Sequence, residues 1–316
     1  MSFPVLRISG LTKSFRGCRV VDNVDMTVGQ GRIVGFLGPN GAGKTSVMSM
    51  IMGLLAPDAG EISLFGESRR SVATRLRLGY LQERPTLYPD MTARAYLTMF
   101  ARLHGAPRPQ ARVDAVLDRV GLTAAADRPL GGFSRGMQQR ASLARVMLHA
   151  PEFLVLDEPT LGLDPRGVAD MRDIFREMRD DGVTLLFSSH QLAEIERICD
   201  EVVFLAQGRV IAAGTPAELL PETGSGNVVV IETAEPLEGS RAALGSLPGV
   251  ENVRVTGPHQ AMLRLREPVD DLHARRGALS RALFASGLTP LSVTPRAVTL
   301  EDLFLTLAGP RPGNGD

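Results

Sequence analysis

Eight consecutive residues, Gly38-Pro39-Asn40-Gly41-Ala42-Gly43-Lys44-Thr45, match G-x-x-x-x-G-K-[ST] in full, and Ser46 follows them. Each residue type has a chemical use. Gly38, Gly41 and Gly43 permit backbone angles that a Cβ would forbid, so successive N–H groups can turn inward around a phosphate. Lys44 reaches toward β- and γ-phosphates, and the Thr45 hydroxyl is a hard oxygen donor of the kind Mg²⁺ takes. The flanking residues must position this loop. Arg32-Ile33-Val34-Gly35-Phe36-Leu37 is short and apolar and reads as a buried strand, while Val47, Met48, Ile51, Met52 and Leu55 recur at helical spacing. Strand, glycine loop and helix in that order form a phosphate-binding loop, with the positive end of the helix dipole facing the anion. The loop is expected to bind a nucleoside triphosphate.

A second group of candidates lies far along the chain. Phe153-Leu154-Val155-Leu156 is an apolar strand that ends in Asp157-Glu158. Ligands in parallel α/β sheets sit beyond the carboxyl ends of the strands. Asp157 is therefore placed to join a Mg²⁺ shell, and Glu158 is a second carboxylate suited to polarise an attacking water. Val183–Ser188 reads as the next buried strand and leads into Ser189-His190, which puts His190 in the same layer as Lys44 and Asp157.

Composition limits what such a site can serve. The 316 residues suffice for two domains, and 35 basic residues balance 35 acidic ones. No overall field draws the chain to nucleic acid or anionic lipid. The start lacks the basic-then-apolar layout of a signal peptide, and the most apolar run, Val47–Leu55, is far shorter than a bilayer span. Cys18 and Cys199 form no C-x-x-C, which argues against a disulfide framework or zinc site. The chain reads as cytoplasmic, and work at a membrane would need another polypeptide.

Taken in order, Leu6–Ser9, Cys18–Val21 and Asn23–Val28 read as three early strands of an antiparallel sheet, with Phe15 on a turn between the first two. Glu61–Phe65 and Leu78–Leu81 are further strands. From Thr92 to about Leu148 the pattern turns helical, with breaks at Pro107–Pro109, Gly121 and Gly131-Gly132, which suggests an inserted helical subdomain. Leu163-Asp164-Pro165 opens a helix carrying Met171, Ile174, Phe175 and Met178 on one face.

Together, GPNGAGKT, the helical insert, Ser134-Arg135-Gly136-Met137-Gln138-Gln139-Arg140, the LVLDEPT run ending at Thr160, Gly162-Leu163-Asp164 and His190 resemble the ATP-binding subunit of an ABC transporter over roughly residues 5–220. The resemblance implies roles position by position. Phe15 would stack on adenine, Glu158 would be the general base, and His190 would contact the γ-phosphate and orient the water. Ser134 and Gly136 would open a helix gripping the γ-phosphate held by a second subunit, most simply another copy, so that ATP and Mg²⁺ lie between the two. Asp164 would cross that interface. The family signature L-S-G-G-Q is replaced here by Phe133-Ser134-Arg135-Gly136-Met137, a form that resembles the ABC-2-type exporter branch. Where the family commonly has Gln touching Mg²⁺ and water, counting back from Leu87-Tyr88-Pro89 falls on Glu83, with Gln82 as the alternative. The segment from Glu83 to Leu103, with Tyr88, Met91, Tyr96, Met99 and Phe100, would receive a helix of the transmembrane permease at the cytoplasmic face of the membrane. At least half of those five are expected to serve only the subdomain core.

Two other functions compete. A soluble ABC ATPase acting on ribosomes or nucleic acid usually brings tandem ATPase halves, long coiled coils or basic arms, none of which this chain carries. A P-loop GTPase or small-molecule kinase leaves Ser134–Arg140 unexplained, and the guanine motif N-K-x-D is absent.

The expected architecture is an α/β P-loop core with an antiparallel β subdomain and a helical subdomain at about 84–150, together spanning 1–220. Residues 221–226 have linker composition. Residues 227–316 are expected to form a small α+β accessory domain: strands Val228–Glu232, Glu251–Val255, Ala261–Arg266 and Leu288–Val293, helices Ser240–Leu247, Val269–Ser286 and Leu300–Leu307. The order βαββαβ suggests a ferredoxin-like fold. Its role is expected to be dimer support or regulation.

Overall fold

The computed structural model describes residues 4–69, 71–84, 86–189, 192–220, 228–266, 272–296, 299–300 and 302–304. They fall into two compact units, Met1–Pro216 and Ala217–Asp316.

The first unit begins with β1 (Leu6–Phe15), β2 (Cys18–Val28), β3 (Ile33–Leu37), α1 (Lys44–Ile51), β4 (Ala59–Leu64), β5 (Glu67–Ser68), α2 (Val72–Leu76) and β6 (Leu78–Leu81). Three longer helices follow, α3 (Ala93–Leu103), α4 (Pro109–Arg119) and α5 (Arg135–Met147). The unit ends with β7 (Phe153–Leu156), α6 (Pro165–Asp180), β8 (Thr184–Ser189), α7 (Leu192–Ile198), β9 (Glu201–Ala206) and β10 (Arg209–Gly214), before a short α8 (Pro216–Leu219).

Two sheets organise it. One is antiparallel, in the order β2-β1-β4-β5; the other runs β10-β9-β3-β8-β7-β6, parallel except for β10. Every residue of β3, β7 and β8 is buried. Strands covered on both faces need no polar alternation, which is why they read as unbroken apolar runs. Helix α6 supplies part of the cover. It buries Met171, Ile174, Phe175 and Met178, and Phe175 meets Phe187 of β8 with ring centroids 6.0 Å apart. Asp164 caps it, accepting from the Gly167 N–H at 3.1 Å, and Pro165 fills its first position.

The two strands expected at Cys18–Val21 and Asn23–Val28 are one, β2. Asn23 adopts φ +52° and the ladder to β1 shifts register beside it, so the polar interruption is an irregularity inside the strand. Phe15 ends β1 rather than sitting on a turn between strands. Helix α7 and strands β9 and β10 were not anticipated from the sequence. Within the helical segment, Tyr96 is wholly buried, Tyr88 is 49% exposed, and Met91, Met99 and Phe100 lie between these extremes.

The second unit contains β11 (Val228–Thr233), α9 (Arg241–Gly245), β12 (Val250–Gly257), β13 (Gln260–Leu265), α10 (Leu272–Ala285) and β14 (Pro290–Arg296). Its sheet is antiparallel throughout, ordered β12-β13-β11-β14. Ile231, Leu244, Leu263 and Leu283 are fully buried in its core. Near the end, Leu300 and Asp302–Phe304 are helical. Thr299 and Asp302 cap this turn reciprocally: the Thr299 N–H donates to Asp302 Oδ2 at 3.0 Å and the Asp302 N–H to Thr299 Oγ1 at 3.3 Å. The 221–226 segment, the start of the helix expected at Val269, and 305–307 of the last helix lie outside the described residues.

Candidate active site

Three strands of the six-stranded sheet end together. The register Phe36↔Ser188 and Leu156↔Phe187 places β8 between β3, which feeds the glycine loop, and β7, which feeds Asp157 and Glu158. On the far side β6 pairs Leu81 with Leu156, and the Asp157 N–H donates to the Leu81 carbonyl at 2.8 Å. Glu83 lies two residues beyond Leu81. The carboxyl ends of these strands are where an α/β sheet binds ligands.

The glycine loop is clamped from two sides. A Cβ on Gly38 would lie 2.2 Å from the Leu205 carbonyl oxygen of β9; one on Gly43 would lie 2.7 Å from the Val20 carbonyl oxygen of β2. Gly43 also holds φ +105°, a left-handed angle that side chains avoid. Only glycine fits either position. Gly43 is the N-cap of α1 and offers no side chain to the first turn, so the open N–H groups there face the loop.

Residues Asn40 to Ser46 line a cleft of about 200 Å³ with Val20, Glu83, Asp157 and Glu158. Lys44 is only 7% exposed, and its Nζ donates to the carbonyls of Gly38 at 2.6 Å and Pro39 at 3.2 Å. Burial lowers its pKa below the ordinary 10.5, while the charges of Glu158 and Asp157 work to raise it. Asp157 is 4% exposed, and its Oδ1 accepts from the Ser188 hydroxyl at 2.7 Å. The same hydroxyl accepts from the Glu158 N–H at 2.9 Å. Glu158 adopts φ +48°, unusual for a residue with a side chain. Beside them, burial and then the Asp157 charge push the Tyr80 phenol up to about 12.

The structure thus gathers Asn40, Gly41, Ala42, Gly43, Lys44, Thr45, Ser46, Glu83, Asp157 and Glu158 at one cleft, with Gly38 and Pro39 tied in through Lys44. Of the two alternatives for the loop after β6, Glu83 lines the cleft; Gln82 is exposed and is not among its lining residues. Phe15 is not in the lining either. Its ring is 43% exposed at the end of β1, with Lys13 Nζ 5.6 Å from its centroid. Ser134 and Gly136 lie away from the cleft at the start of α5, where Ser134 accepts from the Met137 N–H at 3.3 Å. His190 lies outside the described residues. Ser188 escaped the sequence reading; its only signal was a hydroxyl directly after the apolar run Leu185–Phe187.

The site's donors suit Mg²⁺. Thr45 offers a hydroxyl, and Asp157 and Glu83 offer carboxylates, all hard oxygens facing a loop that leaves room for phosphate.

Comparison with known proteins shows the family. The ABC transporter family model matches residues 21–161. The ABC transporter ATP-binding protein YxlF of Bacillus subtilis is 38% identical over 303 residues, 95% of this chain and 98% of the relative. The Nod factor export ATP-binding protein I of Ralstonia nicotianae is 35% identical, covering 98% of this chain and 95% of that protein. The structure of cbiO1 from Clostridium perfringens, part of the ABC transporter complex cbiONQ, superposes with a TM-score of 0.65 at 28% identity over 70% of this chain and 92% of that one. No helix among the described residues is long and apolar enough to cross a membrane. The chain belongs to the ATP-binding proteins of ABC transporters, the subunits that bind and hydrolyse ATP for the transporter.

Proposed function

We propose that two copies of this chain close around ATP and Mg²⁺ and that the cycle of closing and loosening drives a separate permease of the ABC-2 exporter type. The observation that carries this reading is the convergence of Lys44, Asp157 and Glu158 on the glycine loop. Lys44 neutralises the β- and γ-phosphates, and the N–H groups from Gly41 to Ser46 cradle them. Thr45, Asp157 and Glu83, with Gln82 as the alternative to Glu83, would hold Mg²⁺, which neutralises phosphate charge when bound. Glu158 takes the proton of the attacking water. His190 contacts the γ-phosphate, and Phe15, exposed at the end of β1, stacks on adenine. Ser134 and Gly136, at the tip of α5, reach the nucleotide of the other copy, and Asp164 lies in the same interface.

A groove of about 260 Å³ lined by Arg75, Leu76, Tyr80, Phe100 and Arg145, among others, supports docking of a permease helix beside α3. In this reading the protein works at the cytoplasmic face of the membrane, held there through the permease, without a role for nucleic acid. The export direction rests on the Phe133–Met137 signature and on the Nod factor export relative. We assign residues 1–220 to the ATPase domain, with its helical part at about 84–150, 221–226 to a linker and 227–316 to an accessory domain. The strand order β12-β13-β11-β14 in a βαββαβ chain supports a ferredoxin-like fold for the latter, with a role in dimer support or regulation.

The test is oligomeric state. Full-length Glu158→Gln with ATP and Mg²⁺ should shift from monomer to dimer on size-exclusion chromatography with light scattering, and Ser134→Arg in that background should return it to monomer. A Glu158→Gln protein that stays monomeric at saturating ATP, or a dimer indifferent to Ser134→Arg, contradicts the shared site.

A further inference from the structure

We propose that Ser188 is a positioning residue of the ATPase reaction, setting the aim of both Asp157 and Glu158 through one hydroxyl. It sits on β8, in register with Phe36 of β3 and one residue beyond the Phe187↔Leu156 pair, so it lies between the phosphate-loop strand and the strand that carries the carboxylates. It is fully buried. A serine has one proton to give and lone pairs to receive with. Here the proton goes to Asp157 Oδ1 at 2.7 Å, which obliges the oxygen to accept from the Glu158 N–H, and it does so at 2.9 Å. The result is a directed chain, N–H to hydroxyl to carboxylate, in which each bond polarises the next.

Two consequences follow from that geometry. Oδ1 of Asp157 accepts the Ser188 proton, which fixes the orientation of the carboxylate toward the cleft it lines. Glu158 holds φ +48°, a conformation that persists in a residue with a side chain only when its surroundings impose it. The Ser188 bond supplies such a constraint at the residue's own N–H. A carboxylate that must meet a water at one point gains from a backbone fixed in this way. An alanine at position 188 would leave both Asp157 Oδ1 and the Glu158 N–H buried without this partner.

Threonine and valine at position 188 have the same shape and differ only in the hydroxyl, so Ser188→Thr against Ser188→Val isolates the bond from the packing. In full-length protein without metal or nucleotide, hydrogen exchange at the Glu158 amide should be slow in wild type and Ser188→Thr, and about tenfold or more faster in Ser188→Val. ATP binding measured in EDTA should be unchanged in both variants. ATP turnover should fall about 10–100-fold in Ser188→Val, with a raised Mg²⁺ requirement, and stay within about threefold of wild type in Ser188→Thr. Should Ser188→Val fail to fold, Ser188→Ala against wild type removes the hydroxyl alone and makes the comparison. Wild-type exchange and turnover in the hydroxyl-free variant would overturn the proposal, as would a threonine variant as impaired as the valine one.

Discussion

The two units of this chain treat buried polar side chains differently. In the first, Lys44, Asp157, Ser188 and Ser189 are all nearly inaccessible and lie in or just past the strands that end at the cleft. In the second, Thr233 is the buried polar side chain among the described residues, and its hydroxyl donates to the Glu235 carbonyl at 2.8 Å, within a turn. Burying a polar group costs stability unless it is paired, and burying a charge costs more. The first unit accepts this cost for the two charged groups Lys44 and Asp157, both of which line the cleft. Among the described residues the second unit buries no charged side chain, and the interior of its sheet is aliphatic.

The contrast can be broken at four places. Leu283→Ala removes a fully buried side chain from the second unit's core and should cost about 2–5 kcal/mol, melting that unit first in a thermal scan while ATP affinity holds within about twofold. Equal loss of ATP binding would show that the units are not separable in function. Gly38→Ala forces a methyl against the Leu205 carbonyl and should cost about 3 kcal/mol, read as a lowered denaturant midpoint together with lost nucleotide binding. A fully stable alanine variant would mean the loop is not clamped. Lys44→Ala should weaken ATP binding about 10–100-fold with little change in melting temperature, because the removed charge is held by its own loop's carbonyls. Wild-type affinity would refute the phosphate contact.

The smallest effect belongs to Asp302. Burial works to raise its carboxyl, but the Thr299 N–H, the Arg296 guanidinium and the Thr299 hydroxyl hold it below the ordinary 3.8. A depressed carboxyl stabilises the fold at pH values above its unfolded pKa, and the contribution disappears as pH falls through the lower folded value. Asp302→Asn should therefore cost the second unit about 1 kcal/mol at neutral pH and show a flatter stability profile below pH 4 than wild type. Identical acid profiles in the two proteins would remove Asp302 from the cap.

What was legible in the sequence follows the same division. The glycine loop and the Asp157-Glu158 pair could be read because their chemistry demands particular residue types in an unbroken run. The βαββαβ order of the second unit could be read from hydrophobic period alone, with ends displaced by a few residues. Strand β2 was divided in two at Asp22, and only the register with β1 shows the chain passing through it. Ser188 was invisible because its meaning lies across strands: it is 31 residues from Asp157 and reaches it only once β7 and β8 pair. The left-handed backbone of Glu158 likewise has no signature in its residue type.

The account rests on Glu158 as the base that activates water at the cleft. The direct measurement is steady-state phosphate release by full-length wild type and Glu158→Gln at saturating ATP and Mg²⁺, alongside ATP affinity. The predicted result is a loss of about 10²–10⁴-fold in turnover with affinity preserved; phosphate release by the glutamine variant within about twofold of wild type would contradict it.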